Sequence, residues 1–194
     1  MIMQIEEKKI YTPEEYLEFE VNAQIRHEYI NGEIIPMTGG TPEHNEIASI
    51  LNAALRVSLK GKPYSIFVAA QRLWIPDRNL YTYPDVMVVP RPLQRQQGRT
   101  DTIINPVMIA EILSKSTKSY DRDEKFAAYR TISTFQEYLL IDQYTPHVEQ
   151  YFKTGSHKWI FTEYNDMESS ISLSSIPFEI RLADFYENVE FGAS

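Results

Sequence analysis

The stretch Val107-Met-Ile-Ala-Glu-Ile-Leu113 decides the fold, because it is a continuous apolar run that only Glu111 interrupts. Such a run is typical of a central strand that is buried on both faces of a sheet. An unpaired carboxylate at that position would cost several kcal/mol, so Glu111 requires compensation. A metal ion, a lysine or a raised pKa would each supply it, and a buried structural ion pair is the simpler alternative.

The helix predicted downstream, at about residues 121–132, carries a candidate partner for Glu111. Asp121, Lys125 and Tyr129 are spaced i, i+4 and i+8, which places them along one helix face. On a surface helix this spacing usually means an exposed ion pair. Because the helix directly follows the strand that carries Glu111, the spacing also permits the Lys125 ammonium to point back at that carboxylate.

Two acidic residues upstream are further candidates. Asp85 follows Pro84 and precedes Val-Met-Val-Val, so it stands at the mouth of a strand, where side chains converge. Without Glu111, we would interpret Asp85 as an ordinary turn aspartate. The presence of Glu111 makes Asp85 a candidate metal ligand. Glu28 lies beside the predicted Asn31-Gly32 turn, where it either faces the same cleft or is exposed, as hairpin carboxylates usually are.

His44 lies on a predicted helix in register with Ile47 and Leu51, so it faces the domain. This pattern indicates a hydrogen-bonded core histidine more often than a metal ligand. His147 and His157 have no partner at metal-ligand spacing, and the chain has no phosphate-binding glycine loop or nucleophile motif.

Turn and capping signals divide the chain into elements. Thr12-Pro13 predicts a short helix, Asn31-Gly32 a hairpin within residues 27–37, and Thr41-Pro42 a helix that ends near Lys60. Further elements are strands at about 64–69, 71–75, 85–89, 107–113, 138–141, 147–152 and 159–164, a turn at 76–79, a polar loop at 90–105, and a short strand with a closing turn in 170–185.

The composition indicates one globular domain spanning 1–194, with 43% hydrophobic residues in 194. The absence of cysteine excludes disulfides and thiolate metal sites, which favours hard cations held by carboxylates. No apolar run approaches the roughly 18 residues of a membrane span, so we expect a cytoplasmic protein with no membrane partner. The net charge of -8 argues against coating of nucleic acid, although residues 91–130 are richer in basic than in acidic side chains.

Several separated motifs in this order resemble the Uma2 family, also known as domain of unknown function 820, which is abundant in cyanobacteria. The resemblance covers about residues 11–185 and is carried by these segments: Arg26-His-Glu-Tyr-Ile-Asn-Gly-Glu33, Pro42-Glu-His44, Tyr83-Pro-Asp85, Glu111-Ile-Leu-Ser-Lys-Ser-Thr117, Asp121 with Lys125 and Tyr129, and Glu137-Tyr-Leu-Leu-Ile-Asp142.

This resemblance implies an α/β fold with a restriction-endonuclease-like core of the PD-(D/E)xK superfamily: a mixed central sheet flanked by helices, with an N-terminal helix and β-hairpin added. It implies that Asp85 and Glu111 lie on neighbouring strands and bind Mg2+, or Mn2+ in its place. Because a carboxylate in so apolar a strand needs compensation, we expect the two carboxylates to face one another in a cleft. The superfamily usually has a lysine two residues after the second acid, where this chain has Leu113. We therefore expect Lys125 to supply the catalytic ammonium, with His44, Glu28, Asp121 and Tyr129 in support.

The expected function is a metal-dependent endonuclease that hydrolyses phosphodiester bonds in DNA. The alternative is a catalytically inactive nuclease-fold protein that serves as a nucleic-acid-binding or regulatory module, which Leu113 and the acidic net charge favour. A third class, a structural protein with a buried ion pair, predicts no thermal stabilisation by Mg2+ or Mn2+. Nucleases of this superfamily often pair to address two strands, so we also expect a homodimer.

Overall fold

The computed structural model describes residues 9–115 and 117–191. In chain order its main elements are α1 (Pro13–Asn22), β1 (His27–Ile30), β2 (Glu33–Pro36), α2 (Pro42–Ser58), β3 (Tyr64–Val68), β4 (Arg72–Ile75), β5 (Leu80–Thr82), β6 (Val86–Pro90), β7 (Thr102–Ile103), β8 (Met108–Leu113), α3 (Lys118–Tyr120), α4 (Phe126–Tyr129), β9 (Glu137–Asp142), β10 (Val148–Gly155), β11 (Lys158–Tyr164), β12 (Ser170–Leu173), β13 (Phe178–Arg181) and α5 (Leu182–Phe185). A π-helical segment (Asp121–Lys125) joins α3 to α4 without a break. We call this continuous unit the 118–129 helix.

The central sheet has the strand order β11-β10-β9-β8-β6-β3. β8 pairs with β9 in parallel and with β6 in antiparallel orientation, so the sheet is mixed, as expected. All six residues of β8 are buried, which confirms the prediction of a central strand. The parallel β8 and β9 end at the same edge of the sheet, with Leu113 opposite Asp142.

The two faces of the central sheet bury different partners. Met108, Ala110 and Ile112 of β8 lie in one apolar core with α2, whose Ile47 and Leu51 recur at helical spacing. The alternate residues Ile109 and Leu113 lie in a second core with the 118–129 helix. Since side chains alternate along a strand, Glu111 points toward the 118–129 helix. Leu113, in the usual lysine position, lies on that same face and is fully buried.

The N-terminal addition is a helix and hairpin joined to a second sheet with the order β2-β1-β5-β4-β7. α1 begins with a capping box between Thr12 and Glu15. The hairpin prediction is confirmed: Asn31 and Gly32 have φ values of 49° and 100°, the conformation that the tight turn needs.

The elements differ from the sequence predictions at four places. The helix predicted at about residues 121–132 instead spans residues 118–129. β5 was missed, because its three residues follow the predicted 76–79 turn too closely to show a pattern. The 90–105 loop contains β7, which pairs with β4 in parallel. The C-terminal segment forms the hairpin of β12 and β13 followed by α5, rather than one strand. In the described part of the chain, no helix combines the length and the apolar character that crossing a membrane requires.

Candidate active site

Asp85 and Glu111 meet where the antiparallel strands β6 and β8 run side by side. Val86 pairs with Ala110, so Asp85, one residue before β6, stands beside Glu111, and the predicted adjacency of the two strands is confirmed. The Asp85 amide donates to Glu111 Oε2 at 3.1 Å, and the Ile112 amide donates to Asp85 Oδ2 at 2.8 Å. These reciprocal bonds hold both carboxylates in place.

The ammonium of Lys125 contacts three carboxylates. Its Nζ is 3.3 Å from Glu111 Oε1, 3.4 Å from Glu28 Oε1 and 3.2 Å from Asp121 Oδ1. Lys125 and Asp121 are both buried in the π-helical segment. The sequence left two meanings open for this spacing, and the geometry corresponds to an ammonium pointing back at Glu111.

Two hydroxyl groups fix the carboxylates around Lys125. The Tyr129 hydroxyl donates to Glu111 Oε1 at 2.6 Å, and the Thr82 hydroxyl donates to Glu28. Glu28 is therefore buried within the cluster and not exposed, unlike most hairpin carboxylates. Thr82 was not foreseen as a site residue, because it belongs to the missed strand β5.

Negative charge exceeds positive charge in this cluster. Burial raises the pKa of Glu111 to about 8, although the charge of Lys125 opposes the rise; Asp85 and Asp121 add to it. Burial also raises the pKa of Asp121 against the same opposing charge. Burial alone would lower the pKa of Lys125, but Glu111, Glu28 and Asp121 outweigh it and hold that pKa well above its usual value. Lys125 therefore stays charged while the carboxylates compete for it.

His44 contacts the exposed side of the pair. Its Nε2 lies 3.1 Å from Asp85 Oδ2. Burial would lower the pKa of His44, but the hydrogen bond and the charge of Asp85, with smaller contributions from Asn45 and Glu111, together outweigh it and raise the pKa. Gly40 leaves room for the imidazole, because a Cβ there would lie 2.7 Å from His44 Nδ1. His44 is thus hydrogen-bonded, as expected, and its partner is the candidate ligand Asp85, at a position where the His44 side chain keeps 16% exposure.

Access to the site is from the side of Asp85. Glu111 and Lys125 are only 2% and 7% exposed, whereas the side chains of Asp85 and His44 are 19% and 16% exposed. We expected the two carboxylates to face one another in a cleft. That expectation is wrong, because the helix carrying Lys125 and Tyr129 covers Glu111 and leaves only Asp85 partly exposed. Solvent therefore reaches Asp85 more readily than Glu111.

The donor set suits a hard divalent cation. The His44 imidazole and the Ile112 amide both contact the Oδ2 atom of Asp85. Among the described residues, no protein donor contacts its Oδ1 atom. The described residues contain no group of three histidine, aspartate or glutamate side chains arranged around a common metal position. Magnesium commonly binds through one or two carboxylates and retains several waters, so Asp85 and Glu111 fit it without a third protein ligand. The excess of carboxylates would favour the added positive charge.

Of the residues predicted from the sequence, the structure brings together Asp85, Glu111 and Lys125 with all four supporting residues: His44, Glu28, Asp121 and Tyr129. His147 lies elsewhere, beside Glu149 and Glu163 on the strands β10 and β11. Whether the assembled residues bind metal and cleave substrate stays a prediction.

Comparison with known proteins gives relatives over nearly the whole chain. The family described as "Uma2: Putative restriction endonuclease" matches residues 13–184. "Uncharacterized protein sll1609" of Synechocystis sp. is 40% identical over 173 residues, covering 89% of this chain and 98% of the relative. "Uncharacterized protein slr1290" from the same organism is 31% identical over 180 residues, covering 93% of each.

A solved structure has the same fold. It is described as a "putative nuclease belonging to DUF820 from Anabaena variabilis", and it superposes with a TM-score of 0.75 at 18% identity, covering 91% of this chain and 97% of the other. At that identity the likeness shows the fold alone, and it bears out the expected α/β architecture of a mixed sheet flanked by helices. With the family match over residues 13–184 and a 40% identical relative, the chain belongs to the Uma2 family of restriction-endonuclease-like proteins.

Proposed function

We propose that this protein is a metal-dependent endonuclease that hydrolyses phosphodiester bonds in DNA. The observation that carries the proposal is the meeting of Asp85 and Glu111 on adjacent strands, with Lys125 Nζ 3.3 Å from Glu111. The family description, which names a restriction endonuclease, supports the same class of activity.

Asp85 and Glu111 would hold Mg2+, for which Mn2+ is a chemically similar substitute. When bound, such an ion neutralises charge on the reacting phosphate and lowers the pKa of a coordinated water. The backbone amides of Asp85 and Ile112 orient the two carboxylates by the reciprocal bonds. His44 steadies Asp85 at the exposed side of the site, from which the substrate would approach.

Lys125 would act on the reacting phosphate as a fixed positive charge. Its ammonium stays protonated, because three neighbouring carboxylates hold its pKa above the usual value. A charge that is already in place when the phosphorane forms costs no reorganisation, which is the basis of electrostatic catalysis. The Tyr129 hydroxyl, also kept protonated by burial and by Glu111, holds the Glu111 carboxylate toward Lys125.

A second candidate is a nuclease-fold protein that binds nucleic acid or regulates without cutting. The burial of Lys125 among Glu28, Glu111 and Asp121 favours it, because an ammonium that is 7% exposed has few free donors for a phosphate. Leu113 in the usual lysine position favours it as well. Binding of Mg2+ and of nucleic acid without any cleavage would assign the protein to this candidate.

The test is nicking of a supercoiled plasmid by the purified chain with Mg2+, Mn2+ or EDTA. We expect nicking with either metal, none in EDTA, and none by Asp85→Asn. Lys125→Met should lower the rate strongly but leave metal binding largely intact, since a residue tuned to the transition state contributes little to ground-state affinity.

Matched controls separate chemistry from general charge effects. Asp77→Asn and Lys158→Met change an exposed aspartate and an exposed lysine outside the site and should nick as wild type does. Metal-bound wild type that leaves plasmid and RNA intact would contradict the endonuclease proposal.

The homodimer stays a prediction that belongs to this proposal, since two sites would address two strands. Multi-angle light scattering at high micromolar concentration should give twice the 22.6 kDa chain mass. A monomer mass under those conditions would rule the dimer out.

A further inference from the structure

Two loops lie just beyond the sheet edge that carries the candidate active site. The chain leaves β8 after Leu113 and leaves β9 after Asp142, and these parallel strands end side by side. The first loop exposes Lys115, and the second exposes Tyr144, whose side chain is 41% exposed. A large aromatic ring and a lysine thus stand together on the surface.

The ring of Tyr144 is held in position from several sides. Its backbone amide donates to Asp142 Oδ1 at 2.8 Å, and Asp142 is itself buried. Its hydroxyl oxygen accepts the Lys115 amide at 3.3 Å, and Lys115 Nζ lies 5.4 Å from the ring centroid. An exposed ring that is fixed before binding loses little entropy when a ligand stacks on it.

A chain of contacts connects this ring to Asp85. Gln143, next to Tyr144 and buried, donates to the Leu113 carbonyl at 2.8 Å and accepts the Thr41 hydroxyl at 2.6 Å. Thr41 is the N-cap of α2, and one turn later His44 contacts Asp85. Tyr144 therefore borders the same end of the sheet as the exposed side of the candidate active site.

The charge around the ring is opposite to that of the buried cluster. Lys115 is exposed, and the side chain of Lys118 is 47% exposed while it pairs with Asp142 at 3.1 Å. The carboxylates of Glu111 and Asp121 are buried, so solvent next to Tyr144 meets lysine ammonium groups first. A phosphate that approaches Asp85 would pass this basic border.

We propose that Tyr144, Lys115 and Lys118 form a nucleotide subsite in which an unpaired base stacks on the Tyr144 ring and its phosphates pair with the two lysines. The subsite rests on the proposed nuclease function and defines its substrate class as a DNA strand with an unpaired segment next to the scissile phosphate. Proteins that bind single strands combine such aromatic rings with a basic track, because every base has a face that can stack. A base within a duplex is already stacked and has no face to offer.

The test is the affinity of the full-length protein for a fluorescein-labelled 12-nucleotide single strand and for the matching duplex, measured by anisotropy in EDTA so that nothing is cut. Tyr144→Ala should weaken single-strand binding about tenfold or more and change duplex binding little. Tyr144→Phe keeps the ring and should bind within about twofold of wild type. Phe161→Ala, which removes an equally exposed ring from β11, is the matched control and should have no effect.

The contribution of the two lysines is tested separately by the salt dependence of single-strand affinity. Lys115→Ala and Lys118→Ala should each weaken binding to the single strand and reduce the slope of log affinity against log salt by about 0.7. Lys158→Ala, on the exposed hairpin strand, should leave the slope unchanged. Circular dichroism of each variant separates loss of binding from loss of folding.

The outcomes for the subsite and for the nuclease are distinguishable. Unchanged single-strand affinity in folded Tyr144→Ala, or an equal loss in Phe161→Ala, would overturn the subsite even if the plasmid is nicked. A selective loss in Tyr144→Ala supports the subsite even if no variant nicks DNA. A 12-nucleotide RNA bound at least as well as DNA would keep the stacking subsite and contradict DNA as its substrate class.

Discussion

Glu111 and Glu137 are two buried glutamates on the neighbouring strands β8 and β9, and their partners differ in kind. Glu137 is 0% exposed, and its donors among the described residues are all neutral: Gln150 Nε2 at 2.6 Å, the amides of Ser174 and Ser175 at 3.1 and 2.9 Å, and the Ser175 hydroxyl at 2.6 Å. Glu111, 2% exposed, instead shares one ammonium with Glu28 and Asp121 and stands beside Asp85.

The difference shows that burial of a carboxylate is not by itself a functional signal. Glu137 points to the opposite sheet face from Glu111, toward the C-terminal hairpin, and its donors satisfy both oxygens and tie the turn after β12 to the sheet. Burial raises the pKa of Glu111 to about 8, and the charges of Asp85 and Asp121 add to the rise while Lys125 opposes it. We interpret Glu137 as a structural residue and Glu111 as part of a site in which the carboxylates outnumber the positive charges.

The largest expected effect is on catalysis. Glu111→Gln should lower the metal-dependent nicking rate by about a hundredfold or more, because it removes a charge that would hold the ion at the reacting phosphate. Glu137→Gln should leave the rate within about twofold, since it touches no group of the site. Initial rates at a temperature where both variants are folded test this contrast, and equal losses would contradict it.

Removal of the shared cation should be the most destabilising change within the site. Lys125→Met leaves Glu28, Glu111 and Asp121 without their ammonium and should lower the free energy of unfolding by about 4 kcal/mol. Lys118→Met is the matched control, because that lysine is half exposed, and should cost less than about 1 kcal/mol. Urea unfolding measures both, and similar costs for the two lysines would show that the cluster does not depend on Lys125.

Catalysis should suffer more from a change at Glu111, whereas stability should suffer more from a change at Glu137. Glu137→Ala strands several buried donors and should lower the free energy of unfolding by about 3 kcal/mol. Glu111→Gln should cost less than half of that, because it relieves crowding while Lys125 keeps Glu28 and Asp121. Urea denaturation at pH 7 compares them, and a larger cost for Glu111→Gln would break the comparison.

Glu111 should also confer a pH dependence on stability. Its pKa rises from about 4.5 to about 8 on folding, so between these values the folded protein binds more protons than the unfolded chain. The stabilising contribution of Glu111 is therefore complete below about pH 4.5 and is lost as the pH rises through about 8. The difference in unfolding free energy between wild type and Glu111→Gln should fall from pH 5 to pH 8.5, and a constant difference would contradict the raised pKa.

The positions of Asp85 and Glu111 could be predicted from the sequence because both signals are local: an acid inside an apolar run and an acid at a strand entrance. Helical spacing permitted Lys125 to reach Glu111 but fitted an exposed ion pair equally well, so the sequence left this contact open. Glu28 stayed ambiguous because its burial depends on Thr82, which lies in a strand of three residues with no pattern of its own. The role of Glu137 was not visible, since the predicted strand began at residue 138 and its serine donors lie 37 and 38 residues away.

Calorimetric titration of Mg2+ and Mn2+ into wild type, Glu111→Gln and Glu137→Gln tests the metal-site proposal most directly. Metal should bind to wild type and to Glu137→Gln with the same stoichiometry and similar affinity, whereas Glu111→Gln should bind at least about tenfold more weakly. Equal binding by all three proteins would place the ion elsewhere. No binding by wild type at millimolar metal, with or without DNA, would make Glu111 a structural partner of Lys125 and contradict the nuclease mechanism.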